Sequence, residues 1–138
     1  GLLADDTYLI EISLIGLKGL SFRGKSEKER FKVEIEELTQ YFSKKRNSFT
    51  FKIQIGGTDF QKSVFNSMKT IKYGKVLTYK ELAAKIGKPK AYRAVGSACG
   101  ANRIPIVIPC HRVVSSTGLG GFGGGLERKK FLLNLESN

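Results

Sequence analysis

The apolar residues of the first 55 positions follow a strand pattern on both sides of one helical stretch. Apolar residues over 8–15 and 19–23, separated by the turn sequence Gly-Leu-Lys-Gly, predict two strands that form a hairpin. Residues 49–55 alternate strictly between apolar and polar, which predicts a third, half-buried strand.

Between these strands, four apolar residues recur at helical spacing and predict a helix with Lys and Glu on its opposite face. A capping box, in which Ser26 is followed three residues later by Glu29, predicts where this helix begins. The four apolar residues are Phe31, Ile35, Leu38 and Phe42. Residues 1–55 are therefore predicted to form a small β-β-α-β layer that acts as a scaffold, because they contain no catalytic cluster.

The sequence Gly56-Gly57 is the best candidate for a domain boundary, and it predicts a second domain over 56–138. A capping box that begins at Thr58 opens a helix predicted over 59–72. The apolar residues at helical spacing in this stretch are Phe60, Val64, Phe65, Met68 and Ile71.

Two short helices joined by a four-residue turn come next, and together they predict a helix-turn-helix. The first begins at the capping box of Thr78 and Glu81 and runs through Ile86. The turn is 87–90, and the second helix covers 90–100 with unusually small side chains. These small residues are Ala91, Ala94, Gly96, Ser97, Ala98 and Gly100.

The remaining residues contain an apolar segment, a Cys-His pair and a glycine-rich loop. Residues 104–109 are predicted to be extended, and Cys-His-Arg-Val-Val follows at 110–114. The loop covers 118–125, and a final helix is predicted from Leu126 to about residue 135.

Composition excludes several classes of protein. With 41% hydrophobic and 26% charged residues, the chain has the make-up of a globular protein and not of a disordered one. The longest apolar run has six residues, whereas a membrane span needs roughly 20. The N-terminal residues lack the pattern of a signal peptide. We therefore expect a cytoplasmic location, or a nuclear one in a eukaryote.

The cysteines and the histidine exclude two further kinds of site. Cys99 and Cys110 do not form a spaced disulfide framework, which suits a reducing compartment. One His and two Cys are too few for a tetrahedral structural zinc site without carboxylates. We expect no metal and no cofactor.

The net charge of +12 is concentrated in the second part of the chain. Residues 1–55 have 10 Lys/Arg against 8 Asp/Glu, and residues 56–138 have 14 against 4. This asymmetry indicates a polyanionic partner for the C-terminal part, with a solvated lysine-rich surface as the equally weighted alternative.

Cys110 and His111 are the strongest candidates for chemistry. The thiolate is the reactive form of cysteine, and cationic groups such as His111 and Arg112 lower the pKa of a thiol. Neighbouring side chains of an extended chain point to opposite sides, so a bend or a bridging water must join the two. The alternative is a buried, inert cysteine. His111 is the only histidine, and the pair lies between an apolar segment and a glycine loop.

Two other features carry weaker signals. Cys99 lies among small residues and is interpreted as structural, since cysteine is often buried. The loop contains Gly-x-Gly-x-x-Gly at 118–123, but too few residues follow for a dinucleotide-binding fold, and no P-loop is present. A close approach of the backbone to a flat ligand, or plain chain mobility, explains the glycines better.

Basic residues surround the small-residue helix and favour nucleic acid over internal packing, which would not need the charge. Arg93 lies within the slim face of this helix, where it can stack in the space left by an extruded base. The other basic residues of this group are Lys80, Lys85, Lys88, Lys90 and Arg103.

The hexamer Ile-Pro-Cys-His-Arg-Val at 108–113 resembles the active-site signature of the O6-alkylguanine-DNA alkyltransferases, also called methylated-DNA–protein-cysteine methyltransferases. The resemblance extends over 58–136, whereas residues 1–55 resemble the family's variable N-terminal domain only in their strand and helix pattern. The other matching segments are Tyr73–Tyr79, Leu82–Ala84, Pro89–Gly96, Asn102 and Gly124–Leu126.

The resemblance implies an α/β (α+β) fold, with a ribonuclease H-like N-terminal domain and a mostly helical C-terminal domain that contains a winged-helix-like helix-turn-helix. It implies a monomer that binds double-stranded DNA through the minor groove. The protein would transfer the alkyl group of O6-alkylguanine, with O4-alkylthymine as a further substrate, irreversibly to its own cysteine. Because a thioether is stable, each molecule would act once.

The resemblance also implies the roles of individual residues. Cys110 would accept the alkyl group, His111 would be its base through a water, and Glu136 would orient His111. Tyr79 would donate its hydroxyl proton towards N3 of the leaving guanine and would contact DNA. Arg93 would fill the stack after base flipping.

The remaining implied positions concern the hinge, the DNA surface and the pocket. Asn102 would hold the turn between the recognition helix and the active-site segment. Some relatives carry zinc in the N-terminal domain, but residues 1–55 here contain no Cys or His. The glycine loop at 118–125 is one residue shorter than in the family, and this difference bears most on the contacts implied for Phe122 and Gly123. The implied DNA contacts are Lys90, Ala91, Ala94, Gly96, Ser97 and Arg103, and the implied pocket residues are Pro105, Val113, Phe122 and Gly123.

Three other functions compete with this one. Alkyltransferase-like lesion sensors lack the acceptor cysteine, so Cys110 argues against that class. A helix-turn-helix regulator without chemistry predicts base-reading polar side chains on the second helix, where small residues predominate. A Cys-His hydrolase lacks an evident third Asn or Asp near the pair.

Overall fold

The computed structural model describes residues 2–4, 8–12 and 27–137, which form a mixed α/β structure, as predicted. The elements in chain order are β1 (Leu2–Ala4), β2 (Leu9–Ile12), α1 (Glu27–Arg30), α2 (Lys32–Phe42), α3 (Asp59–Met68), β3 (Leu77–Thr78), α4 (Tyr79–Lys85), α5 (Tyr92–Gly100), a 3₁₀ helix (Cys110–Arg112), β4 (Val113–Val114) and α6 (Leu126–Ser137). In this part of the chain, no helix has both the length and the apolar character that a membrane crossing requires.

The described strands form two small pairs. β1 and β2 pair antiparallel, with Leu2 opposite Ile12. β3 and β4 pair in parallel, with Leu77 opposite Val113, so the segment before α4 is fixed beside the segment after the 3₁₀ helix. The predicted hairpin between 8–15 and 19–23, and the Ser26 cap, fall mostly on residues outside the described ranges.

The predicted strand at 49–55 is reduced to one parallel bridge between Leu9 and Ile53. The backbone N–H of Leu9 donates to the carbonyl of Lys52, and that of Gln54 donates to Leu9, both at 2.9 Å. The end of β2 bonds to a different part of the chain, since the N–H of Ile12 donates to the carbonyl of Arg103. The alternation of half-buried and exposed residues over 49–55 is present, as predicted.

The predicted apolar face of α2 is wrong at two of its four positions. Ile35 and Phe42 are 45% and 43% exposed, whereas Glu34, Glu37 and Tyr41 are buried. Buried carboxylates need partners. Glu37 has them, because it accepts from the N–H of Thr50 at 2.8 Å and from its hydroxyl, and it pairs with Arg46. Polar pairing, and not apolar periodicity, therefore decides which face of α2 turns inward.

The helices after Gly56 follow the local sequence signals closely. The capping boxes of Thr58 and Thr78 are both complete, and α4 and α5 supply the two predicted helices of the helix-turn-helix. α3 ends at Met68, four residues before its predicted end at 72. The chain leaves the helix there, and the carbonyl of Ile71 accepts a hydrogen bond from Arg112.

The main core joins residues from both sides of Gly56. Leu9 and Ile12 pack in the same buried cluster as the apolar residues of α3, α4 and α5. The C-terminal members of this cluster include Val64, Phe65, Met68, Leu82, Ala83, Val95 and Ala98. The division into 1–55 and 56–138 stays a prediction, and the described parts of both segments share one core.

Candidate active site

The turn before Cys110 is built around the side chain of Asn102. Its amide oxygen accepts from the N–H of Ile104 at 3.0 Å, and its amide nitrogen donates to the carbonyl of Ile108 at 2.8 Å. The N–H of Ile108 donates to the carbonyl of Ile104 at 2.9 Å, which closes the turn. The prediction of an extended segment at 104–109 is therefore wrong.

Ile106 shows how tightly this turn is held. Its φ angle is +75°, a conformation that is strained for a β-branched residue. Pro105 and Pro109 have no N–H, so the segment has few donors with which to join a sheet. The Asn102 side chain supplies the bonds instead.

Cys110 is the first residue of the 3₁₀ helix, and its N–H donates to the carbonyl of Ile108 at 2.8 Å. The residue is 7% exposed, and burial raises the pKa of its thiol. A hydrogen bond from Asn102 and the charge of Lys129 oppose this rise in pKa. The thiol therefore stays protonated at neutral pH until a base takes its proton.

His111 is fully buried, and its Nε2 lies 2.7 Å from Oε1 of Glu136. Burial lowers the pKa of the imidazole, although the bond to Glu136 opposes this. An ionised carboxylate can only accept, so Nε2 bears the hydrogen and Nδ1 is the basic nitrogen of the neutral ring. Among the described residues, nothing bonds to Nδ1. The ring is thus held at one nitrogen, while the other is buried and has no hydrogen-bond partner among these residues.

Glu136 is the centre of a buried polar cluster. The Arg112 guanidinium donates twice, from Nε to Oε2 at 2.8 Å and from Nη2 to Oε1 at 2.9 Å. The Tyr41 hydroxyl donates to Oε1 at 2.6 Å, and the N–H of Gly74 donates to Oε2 at 3.3 Å. Burial alone would raise the pKa of this carboxyl, but the hydrogen bonds from His111 and Arg112 hold it well below its usual range.

Lys129 in α6 is the second buried cation near Cys110. Its Nζ donates to the carbonyl of Val113 at 2.6 Å and to that of Gly121 at 3.0 Å. Burial lowers the pKa of this ammonium, and the nearby thiols oppose that fall. Lys129 thereby connects the active-site segment to the glycine loop.

A cavity of about 270 Å³ opens beside Cys110. Its lining includes Asn102, Pro105, Phe122 and Gly123, together with Cys99 and residues of β2. Three of the four predicted pocket residues therefore line it. Val113 does not, because its side chain is fully buried and its carbonyl accepts from Lys129.

Tyr79 stands beside the glycine loop, outside the lining of this cavity. Its hydroxyl donates to the carbonyl of Gly121 at 3.5 Å, and burial raises the pKa of the phenol. A Cβ on Gly120, which has a φ angle of +72°, would lie 2.7 Å from the ring, so this position has no room for a side chain. A Cβ on Gly96 would lie 3.8 Å from Cδ1 of the same ring, which is ordinary van der Waals contact.

Most of the predicted DNA contacts in α5 and in the residues on either side of it are exposed to solvent. Arg93 is exposed, as are Lys90, Ala94 and Ser97, while Ala91 and Gly96 are partly buried. Arg103 is also exposed, but its guanidinium pairs with Glu11 of β2 at 2.6 Å. The DNA contact of Arg103 stays a prediction, and the ion pair connects the two parts of the chain.

Cys99 is a buried residue of the cavity wall, and its thiol lies 3.6 Å from the sulfur of Met68. Burial raises the pKa of Cys99 to about 12, so this thiol is not ionised at neutral pH. Among the residues that the structure describes, no three His, Cys, Asp or Glu side chains form a group that could hold a metal ion.

Sequence reasoning missed three members of the site. Tyr41 lies in a helix with no catalytic signal, Lys129 follows the pattern of a solvated helix, and Arg112 was considered only as a cation near the thiol. The one signal available in the sequence is that Lys129 lies three residues before Leu132 and seven before Glu136, which places it on the same face of α6 as these two residues.

Comparisons with known proteins agree with this geometry. A family model described as 6-O-methylguanine DNA methyltransferase, DNA binding domain, matches residues 59–138. A Methanosarcina barkeri protein named methylated-DNA–protein-cysteine methyltransferase is 49% identical over 135 residues, which cover 89% of this chain and 85% of the relative. The crystal structure of Mycobacterium tuberculosis OGT in complex with DNA superposes with a TM-score of 0.87 at 35% identity, covering 99% of this chain and 84% of the other. An O6-methylguanine DNA methyltransferase from Methanococcus jannaschii gives a TM-score of 0.77 at 31% identity, covering 99% and 87%.

Proposed function

Because this chain belongs to the 6-O-methylguanine DNA methyltransferase family, we propose that it is a single-turnover DNA repair protein whose alkyl acceptor is Cys110. One observation carries the proposal: Cys110 lines a cavity, and the residue after it is a buried histidine tied to Glu136. A thiol followed by a histidine that a carboxylate fixes is also compatible with a cysteine hydrolase, and membership of the methyltransferase family decides between the two functions.

The reaction is a displacement at the alkyl carbon. A bond forms between Sγ of Cys110 and the alkyl carbon while the bond from that carbon to O6 of guanine breaks. The thiol proton passes to Nδ1 of His111 through a water. The guanine leaves with a proton at N3, supplied by the hydroxyl of Tyr79, and a proton then passes through solvent from the His111 imidazolium to the Tyr79 phenolate, which returns both groups to their neutral forms. No redox partner is needed, and the thioether remains on the protein.

The buried thiol makes His111 necessary. Since burial raises the pKa of Cys110, the thiolate has to form during the reaction, and a neutral imidazole beside it can take the proton. Glu136 and Arg112 fix the ring so that its basic nitrogen is Nδ1. Lys129 adds a positive charge that favours the thiolate.

The DNA partner is inferred from α5 and its surroundings. The charge of the C-terminal part suits a polyanion, and the exposed small residues of α5 let a helix approach a narrow groove. We infer minor-groove binding by a winged-helix-like helix-turn-helix, with Arg93 inserted after the damaged base is flipped out. A ribonuclease H-like N-terminal domain, a monomeric state and a cytoplasmic or nuclear location complete the proposal.

Intact mass spectrometry tests the function directly. After incubation with duplex DNA that contains O6-methylguanine, the protein should gain the mass of one methyl group, and peptide mapping should place it on Cys110. Cys99→Ser is the matched control, since Cys99 is the other cysteine and should not be needed. Lesion-dependent DNA binding without any adduct would contradict the transferase and indicate a lesion sensor.

A further inference from the structure

Tyr41 connects α2 to the catalytic cluster of the C-terminal part. It is fully buried, and its hydroxyl donates to Oε1 of Glu136 at 2.6 Å, the shortest of the bonds described for this carboxylate. The residue precedes Gly56 in sequence and belongs to the segment that was predicted to be only a scaffold.

The surroundings of Tyr41 leave its hydroxyl little freedom. Its ring packs edge-on against Tyr73 at 6.1 Å and tilted against Phe49 at 5.6 Å, with Leu132 and Ile106 in the same cluster. Burial and the neighbouring carboxylate raise the pKa of the phenol, so it remains a donor throughout the working pH range. A buried hydroxyl in apolar surroundings needs a hydrogen-bond partner, and Glu136 is that partner.

We propose that Tyr41 is a positioning residue for alkyl transfer. Its hydroxyl holds Oε1 of Glu136 in place and reduces how strongly this carboxylate attracts the proton on Nε2 of His111. The inference rests on the proposed function, in which Glu136 fixes the ring of the base His111. It gives the segment before Gly56 a part in the chemistry.

The effect of the Tyr41 hydroxyl follows from how Oε1 of Glu136 is shared. Three donors converge on this one oxygen: His111 Nε2, Arg112 Nη2 and the Tyr41 hydroxyl. Each donor stabilises the negative charge on this oxygen and so lowers the affinity of the carboxylate for a further proton. If the Tyr41 hydroxyl is removed, Oε1 attracts the His111 proton more strongly, and the imidazolium form becomes easier to populate.

The charged groups around His111 do not replace this effect. Arg112 and Lys129 disfavour the imidazolium, Glu136 favours it, and the Cys110 thiol is neutral until it reacts. Tyr73 also lies near Glu136, but its hydroxyl donates to the backbone carbonyl of Leu135 at 3.4 Å. Removing the Tyr73 hydroxyl therefore leaves the number of donors on Glu136 unchanged.

The test is a comparison of Tyr41→Phe with the matched control Tyr73→Phe. His111 is the only histidine, so its ring resonances can be followed by NMR in the unalkylated full chain without ambiguity. We expect Tyr41→Phe to raise the pKa of His111 by about 0.5–1 unit, a threefold to tenfold gain in proton affinity, because one hydrogen bond to a charged group is lost. Tyr73→Phe should leave the His111 titration as in the unmodified protein.

The pH dependence of the transfer rate should change in Tyr41→Phe and not in Tyr73→Phe. Since His111 acts as a neutral base, a higher pKa moves the acid limb of the rate profile to higher pH, and Tyr41→Phe should show this shift. DNA affinity should not change, because Tyr41 is buried and has no contact with solvent. A purely structural role would lower the melting temperature without moving either pH profile, and that result would overturn the inference.

Two further measurements keep the outcomes separate. If Tyr41→Phe does not fold, the resonance of the Tyr41 hydroxyl proton in the unmodified protein decides the matter: a downfield resonance that shifts as His111 titrates supports the inference, and one that stays unchanged through that titration contradicts it. If the unmodified protein gains no methyl group from O6-methylguanine DNA, the proposed function fails. If it gains the group and Tyr41→Phe titrates like Tyr73→Phe, only the inference about Tyr41 fails.

Discussion

The two sides of Cys110 are built on opposite physical principles. Behind it, the Glu136 cluster is buried, and five hydrogen bonds from His111, Arg112, Tyr41 and Gly74 converge on one carboxylate. In front of it, a cavity is bordered by a loop of glycines with few side chains. In the proposed reaction, the back fixes the groups that move protons, and the front leaves room for a flat base. A change behind Cys110 should therefore act on folding and on proton transfer, whereas a change in front should act on substrate access.

Cys110→Ala should have the largest effect, because it removes the atom at which the two sides meet. We expect no alkyl transfer at all and full retention of DNA binding, since the basic surface around α5 does not involve the thiol. Loss of methyl from O6-methylguanine DNA and the binding isotherm give the two readouts. Removal of methyl groups by this variant would show that the acceptor is a different residue.

Glu136→Gln should have the next largest effect, and it tests how much the buried Glu136 cluster contributes to stability. The substitution leaves the buried Arg112 without a balancing charge, and breaking such a pair typically costs about 3–5 kcal/mol. Glu127→Gln, in the exposed first turn of the same helix, should change stability by less than about 1 kcal/mol. Urea unfolding of the two variants would measure the difference. Similar losses in both would mean that the cluster does not dominate stability.

The same cluster predicts how stability depends on pH. The pKa of Glu136 lies below the ordinary carboxyl value of 4.5, so the folded state favours the ionised form. The stability that this provides is fully present above pH 4.5 and is lost as the pH falls towards the pKa of the folded protein. Glu136→Gln should lack this part of the acid dependence.

The front was easier to predict from the sequence than the back. Cys110, the glycine loop and the helix-turn-helix lie in contiguous segments whose patterns are local, and capping boxes at Thr58 and Thr78 fix where two helices begin. The back depends on contacts over long sequence distances. The hydroxyl of Tyr41 reaches a residue 95 positions away, and no periodicity encodes such a contact.

The wrong predictions have the same cause. The face of α2 was assigned from apolar spacing, but Glu37 and Tyr41 are buried because partners from other segments satisfy their polar atoms. The segment 104–109 was predicted to be extended because it is apolar, but the two bonds of the Asn102 side chain fold it into a turn. Satisfaction of buried polar groups overrode hydrophobic periodicity in both places.

Arg93→Ala tests whether α5 helps to bring the damaged base into the cavity in front of Cys110. Arg93 is exposed on α5, and if it fills the space of the flipped base, its loss leaves part of the unstacking cost without compensation. We expect repair of duplex DNA to slow by about tenfold to a hundredfold, which corresponds to a few kcal/mol at most. Reaction with free O6-benzylguanine needs no flipping and should change little. Equal losses on both substrates would remove Arg93 from this role.

Alkylation of Cys110 should have the smallest effect, and it shows where front and back interact. The thiol is buried beside the Asn102 turn at the end of α5, so the part of an added alkyl group that does not enter the cavity presses on that turn. Insertion of a methylene-sized group into a packed interior costs about 1–3 kcal/mol. Since the cavity opens on the glycine loop, a methyl group can be accommodated partly there, whereas a benzyl group should also press on the Asn102 turn. We therefore expect the melting temperature to fall in the order unmodified, methylated, benzylated, and DNA affinity to fall in the same order as α5 loosens.

Calorimetry on the three forms would measure this, with Cys99→Ser carried through the same alkylation as the control. An unchanged or raised melting temperature in both adducts would show that the cavity absorbs the group and that the back of the site does not respond to it.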